Sequence, residues 1–405
     1  MVFISFILAA LSFLAGFYLL FNCCYLLYFA LAGHLRRPPL LAPAKEWRRI
    51  CVLIPAYKED VVILETSRAA INHRYQGPME VFVVADSLKP ETLATINSLG
   101  VGTIEVAFEK STKGKALQKA LDSLPDQAYD IVVVLDADNI MAPGFLEQVN
   151  RAFAAGHLVV QGHRTAKNLD TPFALLDACN EEINNHIFRK GHQAAGFSAA
   201  LIGSGMAFPF AYLKQLLVGI GEVAGEDKEL DFRIVQDNIA IHYLHQALVY
   251  DEKVANARVF TGQRSRWIGA QIDCCRKYFF QGFRELFREG NLAFFDKVLQ
   301  TLLLPRILLM GTLGLLFLVS FANPYGLPPV FWAVLLLAAA SALLLSLPAR
   351  FYRPGLLKAV VRLPLALFFM CLALVRIGKA RNAFIHTPHG HVGGPAALSE
   401  VGGSI

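Results

Sequence analysis

Ile131-Val132-Val133-Val134-Leu135-Asp136-Ala137-Asp138-Asn139 is the stretch on which the reading of the fold turns. Its five apolar residues, four of them β-branched, have the character of a short strand buried on both faces. Two carboxylates one residue apart follow, where the strand gives way to a loop. Side-by-side acids are costly to bury unless a cation or a ligand compensates them. In open α/β sheets ligands gather at the carboxyl ends of the strands. A hard divalent cation shared with phosphate oxygens is the natural compensator. Taken alone, a D-x-D more commonly marks a solvated loop, and the neighbouring segments must decide.

Upstream, strand-like and helix-like segments alternate, the pattern of a mostly parallel sheet with flanking helices. Residues 50–54 read as a strand running into Pro55-Ala56-Tyr57-Lys58-Glu59-Asp60, and residues 61–72 as a helix. Residues 81–85 read as a strand ending at Asp86, 91–99 as a helix, 104–107 as a short strand and 115–124 as a helix. In a parallel sheet Tyr57 with Glu59, Asp86, and Asp136 with Asp138 line one edge. Acids there can accept hydrogen bonds from a base and a ribose while holding a metal on a diphosphate. Asp86 by itself is equally a helix N-cap or a turn residue. Lys113-Gly114-Lys115 opens a helix and offers backbone N–H groups and two ammonium groups to phosphate, or is simply a solvated helix start.

The 405-residue chain is 55% hydrophobic, above the roughly 45–50% of soluble domains, and the surplus sits at its two ends. Residues 2–33 are almost wholly apolar and uncharged. A helix of that length exceeds a bilayer core of roughly 30 Å, and it lacks the basic start of a signal peptide. Residues 1–34 therefore read as a transmembrane anchor. Arg36, Arg37, Lys45, Arg48 and Arg49 follow it, which places the N-terminus outside and the next domain in the cytosol. The net charge of +6 lies mostly beside apolar runs; with no long basic run, nucleic acid is excluded as a partner. Seven cysteines without C-x-x-C or metal-finger spacing suit a reduced, cytosolic face.

In residues 171–199, Glu182 and His186 lie four apart on a helix-like run, a spacing metals use. A polar face along an acceptor path, or solvated surface, accounts for the same residues. Beyond Trp267, Ile268, Ile272, Cys275, Phe279, Phe283 and Leu286 recur at helical steps, with Arg276, Lys277, Arg284 and Arg288 largely off that stripe. Residues 268–290 thus read as an amphipathic helix in the membrane surface, or as an ordinary helix packed on the sheet. Residues 296–377 read as a C-terminal membrane region. It has one span over 296–321 broken by Pro305-Arg306, another over 330–347, and an interfacial or re-entrant helix over 356–377. The tail, 378–405, reads as cytosolic and, from Gly390 on, disordered, with His386 to His391 closing over the site.

Ile54-Pro55-Ala56-Tyr57-Lys58-Glu59, Asp86, Lys113-Gly114-Lys115-Ala116-Leu117 and Asp136-Ala137-Asp138-Asn139 resemble the nucleotide-sugar half of membrane glycosyltransferases of family two. That group contains cellulose, hyaluronan and poly-N-acetylglucosamine synthases. Lys58 stands where members usually carry Asn. Gln161-Gly162 with Asn168 resembles the segment after the family's third strand. Gly203-Ser204-Gly205-Met206-Ala207-Phe208 resembles its acceptor-side loop, where glycine lets the backbone approach a ligand. Gly225-Glu226-Asp227 resembles its T-E-D motif, with Gly in place of Thr, and Gln263-Arg264-Ser265-Arg266-Trp267 matches Q-x-x-R-W. The resemblance covers roughly residues 50 to 290. It implies a GT-A fold, an α/β Rossmann-like and mostly parallel sheet, for a cytosolic domain at 49–267 of a protein in the bacterial inner (plasma) membrane.

By that resemblance the chain is an inverting glycosyltransferase, a hexosyl- or N-acetylhexosaminyltransferase. It moves sugar from a UDP-sugar to a hydroxyl of a saccharide or lipid-linked acceptor, in polysaccharide or exopolysaccharide biosynthesis. Asp136 and Asp138 would hold Mg²⁺ or Mn²⁺ on the diphosphate. Pro55, Tyr57, Glu59, Asp86, Lys113 and Lys115 complete the donor site. Asp227, next to Glu226, takes the acceptor proton in one inverting step. Arg266 with Gln263 clasps the leaving phosphates. Trp267 is a stacking platform for the acceptor sugar, with Gly203, Ser204 and Gly205 on the acceptor side. Three readings compete: a processive synthase, a single-transfer enzyme acting on a lipid carrier, and a non-catalytic subunit of an export complex. Q-x-x-R-W favours the first and the few spans the second, while the intact Asp227 and D-x-D oppose the third. Membrane lipids, and subunits for export, complete the expected partners.

Overall fold

The computed structural model describes residues 2–36, 41–220, 225–253, 257–323, 325–352 and 354–380. The expectations for His386 to His391 and the rest of the tail beyond Ala380 lie outside the described residues. The chain starts with the 34-residue helix α1 (Val2–Leu35). A βα alternation follows: β1 (Ile50–Tyr57), α2 (Ile63–Ile71), β2 (Met79–Asp86), α3 (Pro90–Ser98), β3 (Gly102–Val106), α4 (Lys113–Ser123) and β4 (Ile131–Val134). The second half contains β5 (Ile140–Met141), α5 (Phe145–Ala154), β6 (Val159–Ala166) and α6 (Pro172–Asn184). A π-helical stretch, Asn185–Gly191, runs on from α6 into α7 (His192–Ala194). Then come β7 (Met206–Pro209), α8 (Phe210–Leu217), α9 (Glu226–Gln236) and β8 (Ile241–Asp251).

These strands form one eight-stranded sheet in the order β3-β2-β1-β4-β7-β6-β8-β5. β3, β2, β1 and β4 run parallel, as the alternation predicts; β7 is antiparallel to both β4 and β6, while β6 and β8 are parallel. All four β4 residues are buried, so the strand that opens onto the D-x-D is covered on both faces. Period-2 alternation sorts its neighbours: Ile50, Val52 and Ile54 join the layer under α2 and α5, and Cys51 and Leu53 the layer under α4, α8 and α9. Each fully buried Val, Leu or Ile contributes on the order of 1.5–3 kcal/mol of transfer free energy. Pro55 is tolerated in the middle of the sheet because β4 pairs with β1 only as far as Leu53.

The C-terminal third is helical: α10 (Ala257–Glu289), α11 (Leu292–Thr301), α12 (Arg306–Ser320), α13 (Pro329–Leu345), α14 (Pro354–Val360) and α15 (Leu363–Ala380). Gln263 to Trp267 and the amphipathic run beyond them lie on the single helix α10. One side of that helix buries Ile268, Cys274 and Tyr278, while Phe280 and Phe287 are 82% and 80% exposed. Phe6–Leu35 is long and apolar enough to cross a bilayer; α11 and α12 pass the same test as a pair bent by 61°. The bend falls where the sequence places it, at Pro305-Arg306. α15 packs along α10 and α12, with Pro364 in its first turn, where a missing N–H costs nothing.

α1 is more than an appended segment. Leu19, Cys23, Leu26, Phe29 and Ala30 are buried in one cluster with residues of α12 and α13. The Tyr25 hydroxyl donates to Asp296 Oδ1 at 2.6 Å and lies 2.9 Å from His192 Nε2. The His192 ring stacks on Phe29 with centroids 3.6 Å apart. The other half of α1 presents Phe6, Leu11, Phe13, Leu14 and Phe17 outward.

Candidate active site

A cavity of about 1530 Å³ opens at the carboxyl edge of β1, β2 and β4. Pro55, Tyr57, Glu59, Asp86, Lys113, Asp136 and Asp138 line it, as do Gly203, Glu226, Asp227, Gln263, Arg266 and Trp267. The chain turns sharply where β1 and β2 deliver their ends: Lys58 and Ser87 have φ of 56° and 59°. Asn adopts this left-handed region more readily than Lys, which gives a backbone reason for the Asn usual at position 58 in the resembling family. Asp86 is held by the Ser87 hydroxyl at 3.0 Å and by the Ser111 hydroxyl.

Lys113 is the hub of the cavity. Thr112 caps α4, accepting from the Lys115 amide at 3.3 Å, and so puts Lys113 in the first helical position. The Lys113 ammonium bonds the Asp136 carboxylate, donates to the Gly203 carbonyl at 2.5 Å and lies 3.9 Å from Glu226. Burial disfavours its charge, yet Asp136, Glu226 and Asp227 together hold its pKa above the ordinary value. Asp136 is further fixed by its amide, which donates to Ser204 Oγ at 2.9 Å, and by Arg164 at 3.7 Å. The Asn139 amide, turned with its nitrogen toward the acids, donates to Asp138 Oδ1 at 3.1 Å and Asp251 Oδ1 at 3.0 Å.

Glu226 and Asp227 open α9, where the helix dipole favours negative charge. Gly225 precedes them with φ 99° and ψ 55°. A side chain there would be strained and would put its Cβ 2.9 Å from that of Ala270. A left-handed residue at this position selects Gly over the Thr of the motif it resembles. Burial raises the pKa of both acids; Lys113 opposes the shift at Glu226, and Lys228, whose amide donates to Asp227 Oδ1 at 2.9 Å, opposes it at Asp227. A carboxylate poised upward in this way is a stronger proton acceptor than one in water.

α10 supplies the far wall. Trp267 is 39% exposed and Arg264 lies over its ring at 4.4 Å. Arg264 Nη2 donates to Asp177 at 2.6 Å, and Gln263 Oε1 is buried with no hydrogen-bond partner among the described residues. Below this level Arg164, Lys253 and Arg189 surround Glu181; burial works against its charge, but the three cations bring its pKa down to about 2.

Three expected site residues do not reach the cavity. The Lys115 ammonium donates to the Lys110 carbonyl at 3.2 Å. Ser204 and Gly205 stand behind the D-x-D turn, the first accepting from the Asp136 amide and the second donating to the Val134 carbonyl at 2.9 Å. Glu182 and His186 do not share a ligand. Glu182 is engaged by His163 at 3.0 Å and Arg350 at 2.6 Å, while His186 faces the Ala30 carbonyl at 2.8 Å, beyond the point where the helix widens to π geometry. Conversely, Arg164, Asp251, Lys253 and Arg306 line the cavity without having been singled out as site residues, while Asp177, Glu181 and Asn184 line it as a polar face of the kind expected within 171–199. The spacing of Asp177, Glu181 and Asn184 marks the wet face of α6, and Asp251 ends a strand as Asp86 does. No sequence signal distinguishes Arg306.

Hard carboxylate oxygens on Asp136 and Asp138 suit Mg²⁺ or Mn²⁺. Among the described residues no group of three or more His, Cys, Asp or Glu side chains gathers to ligate a metal. Two carboxylates therefore complete a coordination sphere only with oxygens of a bound diphosphate and water.

A parallel nucleotide-binding half joined to a mixed half, with acids along the shared carboxyl edge, defines the GT-A class of glycosyltransferase. Residues 48–270 match the family model described as Glycosyltransferase like family 2, and the chain belongs to that family. It is 26% identical over 254 residues to the probable glycosyltransferase YdaM of Bacillus subtilis (strain 168), the match covering 59% of this chain and 59% of that relative's length. Among solved structures it is similar to the mannosyltransferase PcManGT from Pyrobaculum calidifontis, in complex with GDP-Man and Mn²⁺. The TM-score there is 0.56 at 20% identity, over 91% of this chain and 97% of that one. A fainter likeness, TM-score 0.39 at 18% identity, joins it to glucosyl-3-phosphoglycerate synthase from Mycobacterium tuberculosis over 58% and 84% of the two chains.

Proposed function

We propose that this glycosyltransferase moves a sugar, with inversion, from a nucleoside diphosphate donor to an acceptor hydroxyl brought from the membrane side. The observation that carries the reading is the joint lining of one cavity by Asp86, Lys113, Asp136, Asp227 and the Gln263-to-Trp267 turn of α10. Tyr57, Glu59 and Asp86 hold base and ribose. Asp136 and Asp138 would hold Mg²⁺ or Mn²⁺, which when bound neutralises charge on the diphosphate. Arg266 and Gln263 grip the leaving phosphates, and Trp267 supports the acceptor. Asp227 takes the acceptor proton as the hydroxyl oxygen attacks the anomeric carbon and the bond to the diphosphate breaks. One base and no nucleophilic carboxylate give inversion.

The arrangement across the chain follows the same reading. Residues 1–34 anchor the protein, 49–267 form the cytosolic transferase, 268–290 lie at the interface, 296–377 re-enter the membrane and 378–405 return to the cytosol. Single transfer is favoured over chain extension by the lining of the inner end of the cavity. Ile307, Met310, Leu343 and Leu367 there are apolar, whereas a sugar polymer needs hydroxyl partners and aromatic platforms along its track.

The test is Asp227→Asn in purified full-length protein, with a panel of UDP- and GDP-sugars. Transfer should fall by about 10²-fold or more while nucleotide affinity stays within a few fold. Retained transfer removes Asp227 from the base role, and a ladder of long products on a gel removes the single-transfer reading.

A further inference from the structure

The cavity does not end beneath the donor site. It continues past Asp177 and Arg189 to the start of α12 and from there into a wholly apolar end between α12, α13 and α15. At the junction stands Arg306. Its Nη2 donates to the Asn180 and Asn184 side-chain oxygens at 2.6 and 2.8 Å, both uncharged partners, and its Nη1 is buried with no hydrogen-bond partner among the described residues. Arg264 and Arg189 are near enough to repel it, with Glu181 as the compensating acid. That acid is already engaged by Arg164 at 2.9 Å, while Arg264 is paired with Asp177. Arg306 is also misplaced for its helix. It is the first residue of α12, after an N-cap proline, with no capping side chain and no acid in the first turn. A cation at the positive end of a 15-residue helix is unfavourable, and the N-cap residue Pro305 offers no side-chain acceptor to the first-turn amides. One anion placed here would answer the guanidinium and the helix terminus together.

We infer that this junction binds the phosphate of a lipid-linked saccharide acceptor, a long-chain isoprenoid-type or acyl phosphate or diphosphate that carries the sugar whose hydroxyl faces Asp227 and whose chain fills the apolar end of the cavity. The inference rests on the transferase reading above and names the acceptor class for it. A free inorganic anion would leave the apolar end unexplained, and a neutral lipid would leave Arg306 uncompensated. Contacts trace the path: Arg164 lies 3.7 Å from Asp136 and 2.9 Å from Glu181, Arg306 bonds Asn180 and Asn184 on either side of Glu181 along α6, and Ile307, Met310 and Gly311 of α12 continue the lining as hydrocarbon. An acceptor lying along that path presents its sugar hydroxyl to the base, its phosphate to Arg306 and its chain to the bilayer.

Binding can be read without turnover, on the full-length protein in phosphatidylcholine nanodiscs. A fluorescent polyprenyl phosphate is the probe, and the matching polyprenol, lacking the phosphate, is the chain-only control. The phosphate form should bind at least about tenfold more tightly than the alcohol, as one charge-assisted contact implies. Arg306→Gln should abolish most of that difference and Arg306→Lys should retain part of it, while UDP and GDP binding stays within about twofold of wild type. Met310→Trp, which fills the apolar end, should weaken both lipids and leave nucleotide binding intact; it carries the test alone if the Arg306 variants melt early. Equal binding of the two lipids, undiminished discrimination in Arg306→Gln, or full displacement of the probe by inorganic phosphate or free nucleotide would each overturn the inference. Selective binding of the polyprenyl phosphate without sugar transfer from any donor would leave the lipid site standing and remove the transferase mechanism instead.

Discussion

Gly225→Ala perturbs the left-handed backbone position that precedes Glu226 and Asp227, the latter the proposed base. At φ 99° any L-residue is held beyond the left-handed basin, at a cost of about 1–2 kcal/mol. The new methyl would also lie 2.9 Å from the Ala270 Cβ. That atom is fixed to α10 and cannot rotate away, so α9 or α10 must move by several tenths of an ångström, adding about 1 kcal/mol. A total near 2–3 kcal/mol is expected in chemical denaturation of the detergent-solubilised protein. Asp227 lies two residues on, so the same displacement should slow transfer roughly tenfold, given that about 1 Å of misplacement costs about 10²-fold. Ala270→Gly separates the two effects. Alone it should cost about 1 kcal/mol as a helical glycine. Combined with Gly225→Ala it should recover the contact part, so that the pair costs about 1 kcal/mol less than the sum. A Gly225→Ala protein as stable and as fast as wild type would refute the reasoning, and strict additivity with Ala270→Gly would refute the contact half of it.

Lys58→Asn should raise the melting temperature, by the equivalent of up to about 1 kcal/mol, because Asn tolerates φ 56° better; an unchanged or lowered value counts against strain at the end of β1. Glu181 and Glu182 titrate near 2 in the folded chain against an ordinary 4.5, so each contributes stability that is whole above about 4.5 and lost as pH falls toward 2. Glu226 and Asp227 have the opposite sign: their raised pKa values favour folding at low pH, and that contribution fades as pH rises through the window above their ordinary values. A melting curve taken against pH should therefore fall more steeply in wild type than in Glu182→Gln below pH 4.5, and parallel curves would contradict the assignment. Arg266→Lys should cost at least about tenfold in donor turnover, since an ammonium lacks the paired donors of a guanidinium; normal turnover would take Arg266 off the leaving group.

The parallel half of the sheet was legible because its signals are local. Residues 131–134 carry enough β-branched apolar character to fix a doubly covered strand, and the turn acids sit beside the strands that deliver them. The family motifs added Asp227 and the Gln263-to-Trp267 turn, which no periodicity marks. What escaped is long-range. Ser204 and Gly205 read as a ligand loop, yet β7 pairs antiparallel with β4 and carries them behind the D-x-D. The role of Lys113 as counter-ion to three acids depends on α9 and β4 meeting in space. Glu182 and His186 promised one shared face, but that expectation assumed uniform α geometry, and the π-helical stretch begins between them at Asn185. Arg306 had only its neighbour Pro305 to recommend it, as the site of a helix break.

The cluster of Tyr25, His192 and Asp296 has a consequence for the order of biogenesis. The hydroxyl of Tyr25 is made early, and its two partners follow 167 and 271 residues later. At about 5–20 residues per second the ribosome needs on the order of 15–55 s to supply the second of them. Through that interval α1 holds an aromatic hydroxyl that its final surroundings have yet to satisfy, and its inward face has neither α13 nor the π-helical stretch to pack against. Helix α1 is thus made before the partners that complete it, and an unrelated apolar helix put in its place would leave the cluster open.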